Sequence, residues 1–166
     1  MDASRYRTVM RHQAGAVAVI AVGSAGARTG LTATAVCSLT DSPPTILACV
    51  NRTASAHDRI AESGSFSINL LSDRQQSVAD AFAGRTGLKG EARFDPQLWT
   101  TMSTGAPILK GALATLDCRL SQRIEAATHS IFIGAVIDGA FDDRVGALLY
   151  FKGDFWDLPQ ALEAVG

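Results

Sequence analysis

Apolar positions along this chain fall into short, closely spaced runs rather than long helical stripes. Residues 16–22 (AVAVIAV) are continuous in small and β-branched apolar types, the pattern of a strand buried on both faces. The turn-forming stretch GSAGART at 23–29 follows, predicting a hairpin into a second strand over 31–39. Asp41-Ser42-Pro43-Pro44 breaks that strand, because proline lacks a backbone donor and fixes its own φ. Further strands are expected over 45–50, 65–70, 112–124, 130–138 and 148–151. Helical segments are short: 5–12, 56–62 and 75–83, the last placing Val78, Ala79 and Phe82 on one face. Ser55-Ala56-His57-Asp58 has the S-x-x-D form of a helix start, and Gly64 and Gly84 read as helix stops. Residues 85–102, polar and broken by Gly87, Gly90 and Pro96, read as an irregular loop. Phe155, Trp156 and Pro159 in the tail are expected to pack against a neighbour. Many short strands without a β-α rhythm predict a mainly β fold with a few short helices, a barrel rather than a doubly wound sheet.

Composition narrows the function classes. A length of 166 residues fits a single domain over 1–166, and 47% apolar content fits a buried core. Fifteen basic against 16 acidic residues leave a net charge of −1, so nothing favours nucleic acid or an anionic membrane. The longest apolar run, 14–22, falls short of the roughly 20 residues a membrane-spanning helix needs. Arg5, Arg7 and Arg11 precede it, but no small-residue cleavage pattern follows, so a soluble, cytoplasmic protein is expected. Cys37, Cys49 and Cys118 are odd in number and form no CxxC, which argues against a disulfide framework or a zinc site. They read as small buried hydrophobes in strands. His12, His57 and His129 have no metal-ligand spacing, and no metal is expected. There is no G-x-G-x-x-G opening a helix, no P-loop, no H-E-x-x-H and no G-x-S-x-G.

The chemistry concentrates in 30–55, GLTATAVCSLTDSPPTILACVNRTAS. Thr32, Ala33, Thr34 and Ala35 leave backbone donors and acceptors open to a flat ring; an ordinary Thr-rich strand facing water is the alternative. Asn51, Arg52 and Ser55 precede a helix, whose free N–H groups and partial positive charge suit a phosphate. Against that stands a plain N-cap at Ser55 and a solvated Arg52. Phe82 and Arg85 read equally as a core ring and a surface charge. His129 reads as a nucleotide contact or as an exposed strand end. No nucleophile, carboxylate pair or other catalytic side chain stands out.

The same segments carry a family resemblance. Gly30, Thr32, Ala33, Pro43, Pro44, Asn51 and Ser55 resemble the Gly-x-Thr-Ala-Ser-Ser, Pro-Pro and polar-loop pattern of short flavin reductases. FSINLL at 66–71, Phe82-Ala83-Gly84, GALATLDCRL at 111–120 and THSIFIG at 128–134 follow in the family's order. The resemblance covers most of 5–152 and is nearest to members serving hydroxyphenylacetate-type or pyrimidine-degrading monooxygenases. It implies an FMN-binding split β-barrel that pairs as a homodimer, with flavin near the subunit interface. It implies hydride transfer from NADH or NADPH to FMN, or alternatively FAD, supplying a partner monooxygenase. A cobalt corrinoid acceptor and a non-enzymatic flavin-binding protein are the alternatives. Thr32, Ala33, Thr34, Ala35, Asn51, Arg52, Ser55, Phe82 and Arg85 would then hold flavin, and His129 the nicotinamide nucleotide. The chain departs from the pattern at Thr34-Ala35, where the family has Ser-Ser, and at Ala127-Thr128, where Gly-Asp usually precedes the histidine.

Overall fold

The computed structural model describes residues 1–160. Its elements are α1 (Ala3–Met10), β1 (Gly15–Ala16), β2 (Ala18–Val22), β3 (Thr29–Ala33), β4 (Val36–Asp41), β5 (Pro44–Asn51), α2 (Ala56–Ser63) and β6 (Ser65–Leu70). There follow α3 (Gln76–Phe82), a 3-10 turn (Gly90–Arg93), β7 (Trp99–Thr101), β8 (Pro107–Leu109), β9 (Ala114–Ala126), β10 (His129–Phe141), β11 (Ala147–Phe151) and β12 (Asp154–Leu158). Seven strands form one sheet in the order β3-β2-β6-β9-β10-β5-β4, with a three-stranded sheet β1-β11-β12 and the pair β7-β8 beside it.

β2 explains why its sequence shows no polar alternation. Successive side chains of a strand point to opposite faces. Ala18, Ile20 and Val22 enter one core with Ile60, Phe66, Ile68 and Phe132. Val17, Val19 and Ala21 enter a second core with Leu71, Phe82, Phe94, Trp99 and Leu148. Both faces are dry, so both faces are apolar.

The sheet's two ends meet through the chain itself. β3 pairs with β2 (Ala33↔Ala18), and β4 pairs with β5 (Val36↔Ala48). Only Thr34 and Ala35 separate these two edge strands, and there the backbone leaves one partner and joins the other. The barrel is therefore closed by a covalent seam and not by a hydrogen-bonded ladder, which is what makes it split. The single strand expected over 31–39 is thus two strands, because residues on a curved sheet cannot pair with both of its ends.

Other boundaries hold more closely. The Pro-Pro pair makes the tight β4–β5 connection, with Ser42–Pro43 cis. Gly64 ends α2 in the left-handed region (φ 68°), where a side chain is disfavoured. The stretch 85–102 is more ordered than a loop, since it holds the 3-10 turn and β7. The tail forms β12 against β11. Of the cysteines only Cys118 is fully buried; Cys49 is half-buried and Cys37 exposed, because they point outward from their strands. Desolvation pushes the Cys118 thiol up to about 12, so it stays protonated.

Candidate functional site

β3 is the end strand of the seven-stranded sheet, so one of its edges has no strand partner. Its backbone is the first element of the site. Thr32, Ala33 and Thr34 line a cavity of about 220 Å³ together with Val17, Ala83, Arg85, Tyr150 and Phe155. The Thr32 hydroxyl does not face this space as a free donor: it donates to the Ala79 carbonyl at 2.7 Å and ties β3 to α3. Arg85 is paired with Asp80 at 2.9 Å and lies over the Phe155 ring at 4.9 Å. Its guanidinium is thus oriented from both sides, yet half exposed.

A second cavity, of about 400 Å³, lies next to the first. Thr34, Ala35 and Gly15 form one wall, and Tyr6, Arg7, Met10, Arg11 and Gln13 form the other. Thr34 and Tyr150 belong to both cavities. The seam therefore runs between two adjoining spaces with a tyrosine ring common to them.

The polar end of β5 meets the same seam. The Cys49 N–H donates to the Ala35 carbonyl at 2.9 Å, and two residues later Asn51 is in register with His129. Asn51 accepts from the Thr53 N–H and hydroxyl, both at 2.9 Å, which shapes the turn into α2. The Arg52 N–H donates to the Thr128 carbonyl, while its guanidinium stands 3.8 Å from Glu125, a long exposed pair of little energetic weight. His129 is exposed, with Nδ1 2.9 Å from the Thr128 hydroxyl. Asn51, Arg52 and His129 are thus neighbours at one rim of the barrel.

Ser55 behaves differently from the expected cap. Its backbone is already helical (φ −59°, ψ −22°), whereas an N-cap is extended, and its hydroxyl makes no capping bond. That hydroxyl instead lies 2.8 Å from the Thr29 hydroxyl, which also accepts from Arg93 at 3.3 Å. The Arg93 guanidinium is stacked 5.0 Å over Phe82, and burial pulls its pKa down. Phe82 itself is 4% exposed and packs edge-on to Phe94 in the second core, lining neither cavity. Its contribution is to hold β3: a Cβ on Gly30 would come within 2.9 Å of its ring.

Sequence reasoning missed Tyr150, Phe155, Arg93 and the α1 residues. Tyr150 sits in an apolar strand and resembles any core aromatic. Arg93 and α1 reach the site only through tertiary packing. One array also went unread: the buried His57 has Nδ1 2.7 Å from the exposed Asp58 carboxylate and Nε2 2.8 Å from the buried Ser130 hydroxyl. The order Asp-His-Ser is that of a hydrolase relay, but Ser130 is 0% exposed and no acyl substrate reaches it. The array fastens α2 to β10.

A flat, hydrogen-bonding ring fits the free β3 edge, and Arg85 beside it fits a phosphate, whereas Ser55 and Arg93 meet at Thr29 and line neither cavity. Comparisons with known proteins give the family. Residues 10–159 match the flavin reductase like domain. The chain is 39% identical over 159 residues to the FMN reductase (NADH) RutF of Pseudomonas syringae pv. syringae (strain B728a), covering 96% of this chain and 88% of that protein. Its fold superposes on a flavin reductase of Haemophilus somnus 129PT with a TM-score of 0.90 at 33% identity, covering 95% of this chain and 100% of the other. It superposes equally on BorF, the flavin reductase component of a bacterial two-component tryptophan halogenase (TM-score 0.88, 36% identity, 95% and 99% covered).

Proposed function

This chain belongs to the flavin reductase family, and from that membership we propose that it is an NADH-dependent FMN reductase. The observation that carries the reading is the seam at Thr34–Ala35, where an unpartnered strand edge faces two adjoining cavities. One space suits the flavin and the other the hydride donor.

Bound flavin would supply the hydride-accepting chemistry itself, which needs no protein acid or base. The protein's task is placement. Holding two rings in contact contributes roughly 7–11 kcal/mol of barrier reduction. The β3 backbone offers donors and acceptors to the ring edge. Arg85, which lines the smaller cavity, offers charge to phosphate. Asn51 and His129 border the same rim and meet whatever projects from it.

The reduced flavin leaves for a partner monooxygenase. An open site supports that, because a product that must be handed on needs a route out. The working unit is a homodimer in a soluble, cytoplasmic setting. Supporting the dimer, the outer face of β5 and β10 carries Leu47, Cys49, Ile131 and Ile133 on the side away from the core. No helix among the described residues is long and apolar enough to cross a membrane.

The test is NADH oxidation by purified protein with FMN, with FAD and with no added flavin. Strong stimulation, greatest with FMN, is expected. A rate indifferent to both flavins sinks the reading.

A further inference from the structure

We propose that Arg7 on α1 and Arg11 at its C-cap bind the diphosphate of the nicotinamide dinucleotide, making this N-terminal helix the element that holds the hydride donor. The proposal rests on the flavin reductase reading above and adds residues that reading does not assign.

The first observation is charge without compensation. Arg7 and Arg11 line the larger cavity, and no carboxylate lines it with them. Among the described residues neither guanidinium has an acidic partner within salt-bridge distance, a state shared with Arg5, Arg74, Arg93 and Arg119, but of these only Arg7 and Arg11 line this cavity. Guanidinium groups match phosphate oxygens in a bidentate fork. The second observation is position. The cavity adjoins the Thr32–Arg85 cavity and shares Thr34 and Tyr150 with it. A dinucleotide whose nicotinamide reaches the shared wall would leave its diphosphate beneath α1. The third is the remaining lining: Tyr6 offers an aromatic face and Gln13 amide groups, which suit a base and a ribose.

The helix is built to serve as a cover rather than as core. None of its residues is buried, and Tyr6, Val9 and Met10 stay exposed. Its start is capped by Asp2, whose carboxylate accepts from the Ser4 and Arg5 N–H groups at 2.9 Å. Its end is tied to β11's turn, where the Lys152 N–H donates to the Arg11 carbonyl at 2.7 Å. Removing either guanidinium therefore leaves the barrel's packing untouched.

The experiment compares wild type with Arg7→Ala, Arg11→Ala and the double variant; Arg5→Ala, on the same helix but off the cavity, is the control. Three readouts are taken. The first is kcat/KM for NADH relative to N-benzyl dihydronicotinamide, which carries no phosphate. The second is NAD+ affinity of the FMN-loaded protein by calorimetry. The third is the affinity ratio of FMN to riboflavin. Losing charge-assisted hydrogen bonds should lower the NADH-to-benzyl ratio about tenfold or more per arginine and weaken NAD+ binding in parallel. Arg7→Lys should recover part of the loss, and Arg5→Ala should match wild type. Unchanged ratios and NAD+ affinity in the double variant overturn the proposal. So does a collapse of the FMN-to-riboflavin ratio, which would give the arginines to the flavin phosphate. Wild type that oxidises neither donor faster with flavin overturns the underlying function instead.

Discussion

At Thr32 the side chain and the backbone do separate jobs. The hydroxyl donates to the Ala79 carbonyl, which already accepts the Ala83 N–H at 2.9 Å. Thr32→Val, nearly equal in shape, removes a donor without orphaning that carbonyl. Its cost is therefore the net worth of one hydrogen bond, about 1 kcal/mol. FMN affinity should change less than about twofold, because the ligand meets the strand's backbone. Urea unfolding and a flavin fluorescence titration check both halves. A large affinity loss at unchanged stability would instead hand the hydroxyl to the flavin. The sequence read Thr32 and Thr34 as positions of one strand whose backbone stays open to a flat ring. It did not show that one hydroxyl would be spent on a helix 47 residues away in sequence. Ser55 failed as a cap for the same reason: local pattern favours the cap, and the tertiary partner Thr29 wins.

Among the elements, the 3-10 turn Gly90–Arg93 shows what periodicity does not reveal. Its Glu91 carboxylate accepts the Arg28 N–H at 2.8 Å and the Arg28 Nε–H at 2.9 Å, clamping the turn to the start of β3 across 63 residues of sequence. Polar residues broken by glycines read as loop, and long-range contacts, this pair together with Phe94 and Trp99 in the second core, make the segment ordered. The Arg28 guanidinium holds the Glu91 carboxyl down at about 2, against an ordinary 4.5. A depressed carboxyl stabilises the fold above its unfolded pKa and loses that contribution as pH falls through the folded one. The clamp's contribution is thus complete above pH 4.5 and disappears toward pH 2. Glu91→Gln should lower Tm at neutral pH and flatten its fall across that window. Parallel Tm-against-pH curves for variant and wild type would show that the clamp carries no stability. By contrast α2, α3 and the β2–β3 hairpin were legible, because each is set by local spacing and by glycine stops.

For the molecule as a whole, barrel class followed from many short strands, but the seam did not, since a partner switch between Ala33 and Val36 leaves no mark on an apolar–polar string. The outer sheet face was equally hidden. Rows of cross-strand neighbours run Cys49–Ile131–Ile124 and Cys37–Leu47–Ile133, the second ending at Gln122 on β9, on positions that alternate with the core residues Ala48, Val50 and Phe132. A strand buried on one face should alternate with polar residues, and over Leu47–Cys49 and Ile131–Ile133 β5 and β10 do not. A second copy is the natural cover, because a twofold pairing sets the same apolar rows against each other. Asn51 and His129 lie in register at the end of those strands, so under the proposed pairing and flavin reading a second copy would also frame the rim of the flavin site. Ile133→Glu places a charge in the middle of the face without touching the core. It should shift the protein in sedimentation from a dimer to a single chain of 17.4 kDa, and weaken FMN binding about tenfold or more as the rim loses its partner. A variant that stays dimeric would remove this face from the interface. A monomer that binds FMN as wild type does would show that each barrel completes its own site.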